Sequence, residues 1–172
     1  MNVMTFLAVR ALHVLMAALW IGSTVFITSL LMPAVDATGP AGGQVMMRIN
    51  RRGLTTYMTV LGAMTLMTGL YLFWRFTGGF DPGVSTTHAG LAFGIGGAAG
   101  ILAGVIGGAV VGRNAKKVAS LVGRATQMTD GAEKGSIMQQ VAALHRRMET
   151  GSRIVILLQT VALMLMAVGH YV

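Results

Sequence analysis

The chain has 172 residues, of which 54% are hydrophobic and only 10% are charged. With a mean hydropathy of +0.70, it is too apolar for a soluble domain of this size and is typical of a membrane protein. It has no cysteine, which excludes disulfides and thiolate metal sites, and its formal charge of +8 is better explained by membrane orientation than by nucleic acid binding.

Four apolar segments are long enough to cross a bilayer as helices. They are residues 4–32, 54–76, 88–112 and 153–171. The first is too long for the apolar core of a signal peptide, so we keep it as a helix of the mature protein. The predicted fold is therefore an all-α transmembrane four-helix bundle that forms a single domain over residues 1–172.

The first helix carries one polar stripe in an apolar background. At about 100° per residue, its members lie on one face, which we expect to point into the bundle. The stripe consists of Arg10, His13, Ala17, Trp20 and Thr24.

The second helix has no histidine and no acidic residue, but it is rich in threonine. We expect these hydroxyl groups to bond back to their own helix or to bridge to neighbours. The threonines are Thr55, Thr56, Thr59, Thr65 and Thr68.

The third helix repeats glycine at every fourth position, a pattern that lets another backbone approach closely within lipid. The ladder consists of Gly96, Gly100, Gly104, Gly108 and Gly112. It favours tight packing, either inside the bundle or between the copies of a homodimer. Gly90, Gly94 and Gly97 lie outside the ladder and could instead leave clearance for a flat cofactor.

Residues 113–152 are predicted to form a helical hairpin that extends the third and fourth helices. Apolar residues recur there at helical spacing on both sides of a turn. Asp130 and Glu133 read as a capping box for the second arm. The hairpin is either a basic surface that touches lipid headgroups or a docking site for a partner or a second subunit.

The distribution of basic residues predicts the orientation. Eleven of the thirteen lysines and arginines flank the membrane on one side: three in the first loop and eight in the third loop region. That side should be cytoplasmic, which places both termini outside a bacterial-type inner membrane.

With this orientation, three of the four histidines fall at the outer side of the membrane. His13 lies in the first helix, His88 begins the third, and His170 ends the fourth on a face shared with Gln159 and Met166. Each histidine taken singly is more simply a solvated or hydrogen-bonded residue. Their position on the same side of the membrane nevertheless suits a cofactor. The case is strongest for His13, because burial of an imidazole in lipid is costly.

Two cofactors suit these residues. Haem b needs one or two axial imidazoles, and Arg10 could then pair with the propionates. Copper could take imidazole and thioether ligands from the three histidines and Met166.

The stretch LHVLMAALWIGSTVFITSLLMPAV at 12–35 resembles the first helix of the copper resistance protein D-like membrane domain, whose relatives include the HemJ-type protoporphyrinogen oxidases. The shared pattern is His13, Trp20, Gly22, Phe26 and Pro33, with the proline ending the helix. Residues 49–76 also resemble the second helix of that domain, so the similarity covers about the first 110 residues. It implies a four-helix bundle that handles copper or haem, with His13 as the axial ligand in the haem case.

The sequence therefore predicts a haem b membrane protein that carries out electron transfer or redox chemistry with a quinone or a small oxidant. His13 is the expected first ligand, with His88 or His170 opposite. A copper-binding or copper-transport protein and a cofactor-free accessory subunit of a membrane complex are the alternatives.

Overall fold

The computed structural model describes residues 2–129 and 131–172, and these are helical almost throughout. In chain order the helices are α1 (Val3–Ala37), α2 (Pro40–Arg51), α3 (Leu54–Phe76), α4 (Pro82–Ser85), α5 (His88–Ala125) and α6 (Ala132–Val168). Of these, α1, α3, α5 and α6 are long and apolar enough to cross a membrane. The prediction of an all-helical fold with four helices long and apolar enough to span a membrane is confirmed.

Helix α1 runs further than the sequence predicts. The expectation that it ends at Met32, before Pro33, is wrong, because the helix continues to Ala37. A π-helical segment at Ile27–Leu31 allows this, and the N–H of Met32 bonds to the carbonyl of Ile27. The segment places Pro33 in the first turn of the next α-helical stretch, where its missing N–H is not needed.

Helix α2 lies in the segment between the first two spans, where the sequence predicts a loop. Gly39 and Gly53 flank it with positive φ angles of 59° and 99°, which favour glycine. Gly42 is buried, and a β-carbon there would collide with the carbonyl of Val35 and the side chain of Thr38. The turn between α1 and α2 is therefore tight.

Helices α5 and α6 continue beyond their apolar spans and pack against each other. The contact is a cluster of buried residues: Leu121, Ala125, Ile137, Val141 and Leu144. Helix α5 passes through a π-helical segment at Gly107–Gly112 before this arm. Asp130, the predicted first residue of the capping box, lies outside the described residues.

The core of the membrane region is built around Trp20, whose side chain is only 7% exposed. It packs with Leu61, Ala103 and Val155, so each of the four long helices contributes one residue. The indole fits because two glycines face it: β-carbons at Gly62 and Gly104 would lie 3.3 Å and 3.7 Å from its ring. We call Trp20, Gly62, Gly104 and Val155 the Trp20 layer.

The glycine ladder of α5 is used largely inside this bundle. A β-carbon at Gly96 would lie 3.3 Å from the carbonyl oxygen of Ala162 on α6. Gly100 and Gly104 face Leu66 on α3, whereas a β-carbon at Gly108 would meet nothing within 4 Å in the described part of the chain. Close packing within the bundle accounts for the first three glycines, and a homodimer contact through the ladder stays a prediction.

Candidate cofactor site at His13

His13 lies on α1, and its side chain faces α3, where one ring nitrogen holds it. Its Nδ1 is 3.0 Å from the backbone oxygen of Thr65 and 3.1 Å from Oγ1 of Thr68. A carbonyl oxygen can only accept, so Nδ1 carries the proton and donates it. The Thr68 hydroxyl donates to the carbonyl of Met64 at 2.6 Å and can therefore accept from His13 as well. In the neutral imidazole, Nε2 is left with the lone pair.

A glycine on α3 sets the position of the imidazole ring. A β-carbon at Gly69 would stand 2.8 Å from Cε1 of His13, so the ring lies directly against the α3 backbone. Thr65, Thr68 and Gly69 together form the seat of His13. The predicted back-bonding of the threonines is confirmed, since the hydroxyl of Thr65 also donates to the carbonyl of Leu61 at 2.8 Å. Their contact with His13 is not evident from the sequence.

A shift of about two helical turns from the Trp20 layer gives a second set of residues at the depth of His13. Seven residues separate the two layers on every helix, counted backwards on α1 and α5 and forwards on α3 and α6. The second set is His13, Gly69, Gly97 and Ala162, which we call the His13 layer.

The positions that share the His13 layer carry small residues. A β-carbon at Gly97 would meet nothing within 4 Å, and Ala162 is a small residue only 7% exposed. The other three members of the His13 layer are therefore small, and Gly69 is the one that His13 contacts directly.

Gln159 lies on α6 between the two layers, four residues after Val155 and three before Ala162. It is 2% exposed, and neither its amide nitrogen nor its amide oxygen has a hydrogen-bond partner among the described residues. The prediction that this side chain points into the bundle is confirmed. An amide buried without partners is unfavourable, which sets Gln159 apart from the satisfied threonines nearby.

At the end of the bundle near both chain termini, the structure brings Arg10 and His170 together. The Arg10 guanidinium donates to Nε2 of His170 at 2.8 Å. The His170 ring packs edge-on against Phe93, with the ring centres 5.1 Å apart. The Nε2 lone pair of His170 is therefore already engaged.

The other candidate site residues are spread over the bundle. His88 is the exposed first residue of α5, and Met166 packs against Gly96, 3.5 Å from a β-carbon built there. Trp20 fills the core of its own layer. Within residues 2–129 and 131–172, no group of three or more His, Cys, Asp or Glu side chains could hold a metal ion.

Of the three glycines that the sequence left open for a flat cofactor, only Gly97 borders free space. A β-carbon at Gly90 would collide with the carbonyls of Val84 and Ser85, so this glycine serves the turn that precedes α5. Gly94 faces the ring of Phe73 at 3.5 Å.

The fold and this site define the class of protein: an all-helical protein with four helices long and apolar enough to span a membrane, and a partly buried histidine held between two of them. No protein-family model, curated protein or solved structure matches the chain. A function for it therefore rests on the geometry of the His13 layer.

Proposed function

We propose that the chain is a haem b-binding membrane protein in which His13 is an axial ligand. The observation that carries this proposal is the Nδ1–H of His13 bound to the Thr65 carbonyl, which leaves Nε2 with its lone pair. Metal-ligating histidines are usually held in this way, because the second-shell acceptor fixes both the tautomer and the ring orientation. The Gly69 seat restricts the ring further.

The surroundings of His13 fit such a group in two respects. Gly69, Gly97 and Ala162 are small, and the position above Gly97 is open. Gln159 is a buried amide with two unused hydrogen-bonding atoms beside the same layer. Small residues at this depth and an orphaned polar group together favour an occupant in this part of the bundle.

Arg10 lies three residues from His13 toward the chain terminus and is exposed, so a guanidinium is available for the propionates at the end of the bundle. Because it now bonds His170, propionates would share or replace that contact.

The structure favours one axial histidine ligand, His13, over a pair of axial histidines. The Nε2 of His170 accepts from Arg10, and His88 is exposed at the start of α5. When bound, the haem would supply one-electron redox chemistry. A quinone or a small oxidant is the partner class that we propose for it, since both reach a site within the bilayer.

The proposal includes the orientation drawn from the basic residues. The His13 layer and both termini lie toward the outer side of a bacterial-type inner membrane, and the hairpin formed by the ends of α5 and α6 is cytoplasmic. We also propose that the chain is related to the copper resistance protein D-like and HemJ-type proteins, which the pattern from His13 to Pro33 supports.

An absorption spectrum of the detergent-purified protein tests the proposal. We expect a Soret band that is lost in His13→Ala and kept in His145→Ala, a matched variant on the hairpin arm. The same band in His170→Ala would support a single protein ligand. A colourless preparation that contains stoichiometric copper would favour the copper-binding alternative. A colourless, metal-free preparation would favour an accessory subunit without a cofactor.

A further inference from the structure

A shallow groove runs along α2, outside the bundle and away from the His13 layer. Three arginines and two aliphatic residues line it: Val45, Arg48, Ile49, Arg51 and Arg52. All three arginines are exposed, and so is Val45, at 50%. Cationic and apolar side chains therefore share one accessible surface.

The arginines of this groove have no carboxylate to neutralise them. The chain contains only five acidic residues in total. Across the described ranges, none of these carboxylates forms an ion pair with Arg48, Arg51 or Arg52. Elsewhere the chain does pair such charges, since Arg153 on α6 binds Glu149 at 2.6 Å.

Helix α2 lies in the chain directly between two of the long apolar helices. One side of α2 packs against the end of α1 through Gly42. Ile49 lies seven residues later, about two helical turns along the same side, and is half-buried. The span α3 begins at Leu54, directly after Arg52 and Gly53. Such a helix, with arginines beside an apolar flank, is typical of one that lies in the interface between lipid and water.

We propose that the α2 groove binds the headgroup of an anionic phospholipid. Guanidinium groups bind phosphate oxygens in a bidentate manner, and three of them converge here without a competing carboxylate. Val45 and Ile49 lie next to them and suit the start of an acyl chain, which a free phosphate ion lacks. The charge and the apolar lining together select a lipid rather than a soluble anion.

Native mass spectrometry of the full-length protein in detergent tests this assignment. The probes are dioleoyl phosphatidylglycerol and dioleoyl phosphatidylcholine, titrated separately. We expect phosphatidylglycerol to be retained at least ~10-fold more tightly. Because one basic residue near an anionic lipid contributes about a fivefold factor, the double variant Arg48→Gln/Arg51→Gln should weaken this binding ~25-fold.

The matched control is Arg146→Gln/Arg147→Gln, which removes two exposed arginines from the hairpin arm and should leave phosphatidylglycerol binding within twofold. Equal retention of the two lipids, or an equal loss in the control, would overturn the proposal. Displacement of the lipid by millimolar inorganic phosphate would also overturn it, because the groove would then be a site for free anions. Helical circular dichroism of each variant checks that it is folded.

Discussion

Replacing the buried amide of Gln159 should make the ligand-free protein more stable. Gln159→Met keeps the length and flexibility of the side chain but removes both of its unpartnered polar atoms. Methionine therefore fills the same space between Val155 and Ala162 without a desolvation penalty.

The size of the effect follows from the environment of the side chain. An unsatisfied buried polar group costs about 1–3 kcal/mol in a soluble protein. Within lipid the penalty is smaller, because the unfolded chain in the membrane has no water either, and hydrogen bonds there average about 0.6 kcal/mol. We expect Gln159→Met to gain about 1 kcal/mol, or ~2–4 °C in Tm for a chain of this length.

Thermal unfolding in detergent, followed by circular dichroism on cofactor-free protein, measures the change. Gln140→Met is the matched control, because Gln140 is exposed on the same helix and should give no gain. A loss of stability in Gln159→Met, with Gln140→Met unchanged, would refute the reasoning, since it would mean that the amide has partners in the ligand-free protein. If the amide serves a bound group, the same variant should also retain haem less well.

Three further predictions concern the seat, the core and the orientation. Gly69→Ala should lower haem retention at least ~10-fold, measured by the Soret absorbance, because the new methyl group displaces the ring of His13. Trp20→Ala should lower the free energy of unfolding by about 3 kcal/mol, measured by denaturant titration, because it leaves a large void among the four helices. Since the chain has no cysteine, single-cysteine variants report topology directly: in intact spheroplasts, a membrane-impermeant maleimide should label Tyr171→Cys but not Gln140→Cys.

Each of these has its own control. Gly108→Ala adds a methyl group where nothing lies within 4 Å and should keep the Soret band. An equal loss of Soret absorbance in Gly108→Ala would mean that the effect of Gly69→Ala does not come from the seat of His13. Trp74 is 44% exposed, and Trp74→Ala should cost far less than Trp20→Ala; similar losses would argue against a central role for Trp20. The reverse labelling pattern would invert the proposed orientation.

Much of the fold follows from the sequence because lipid imposes simple constraints. A spanning segment must satisfy its own backbone and be apolar for about 20 residues, so hydropathy alone locates four helices. The second span, Leu54–Phe76, has the predicted boundaries. The inward stripe of the first helix is also visible in sequence, and its Trp20 and Thr24 are buried.

The sequence was less informative where the chain leaves the apolar core. Pro33 is an ordinary signal for the end of a helix, yet a π-helical segment let α1 continue. Helix α2 is not predicted from the sequence because the glycines at its start, Gly39 before it and Gly42 and Gly43 within it, are typical of a loop. Tertiary packing of Gly42 on α1 overrides that local preference.

For the site, the sequence by itself determined that a histidine and a glutamine lie within apolar segments, where contact with lipid would be unfavourable, and hence that they face inward. The same reasoning predicted an inward Arg10, which is wrong, because Arg10 lies near the end of the bundle and is exposed. Only the tertiary structure decided how they are used. It seats His13 on Gly69 and the Thr65 carbonyl, joins Arg10 to His170, and leaves Gln159 without a partner. Such contacts depend on the rotation and register of one helix against another. Many side chains jointly set that geometry through packing, and no periodicity within a single helix encodes it.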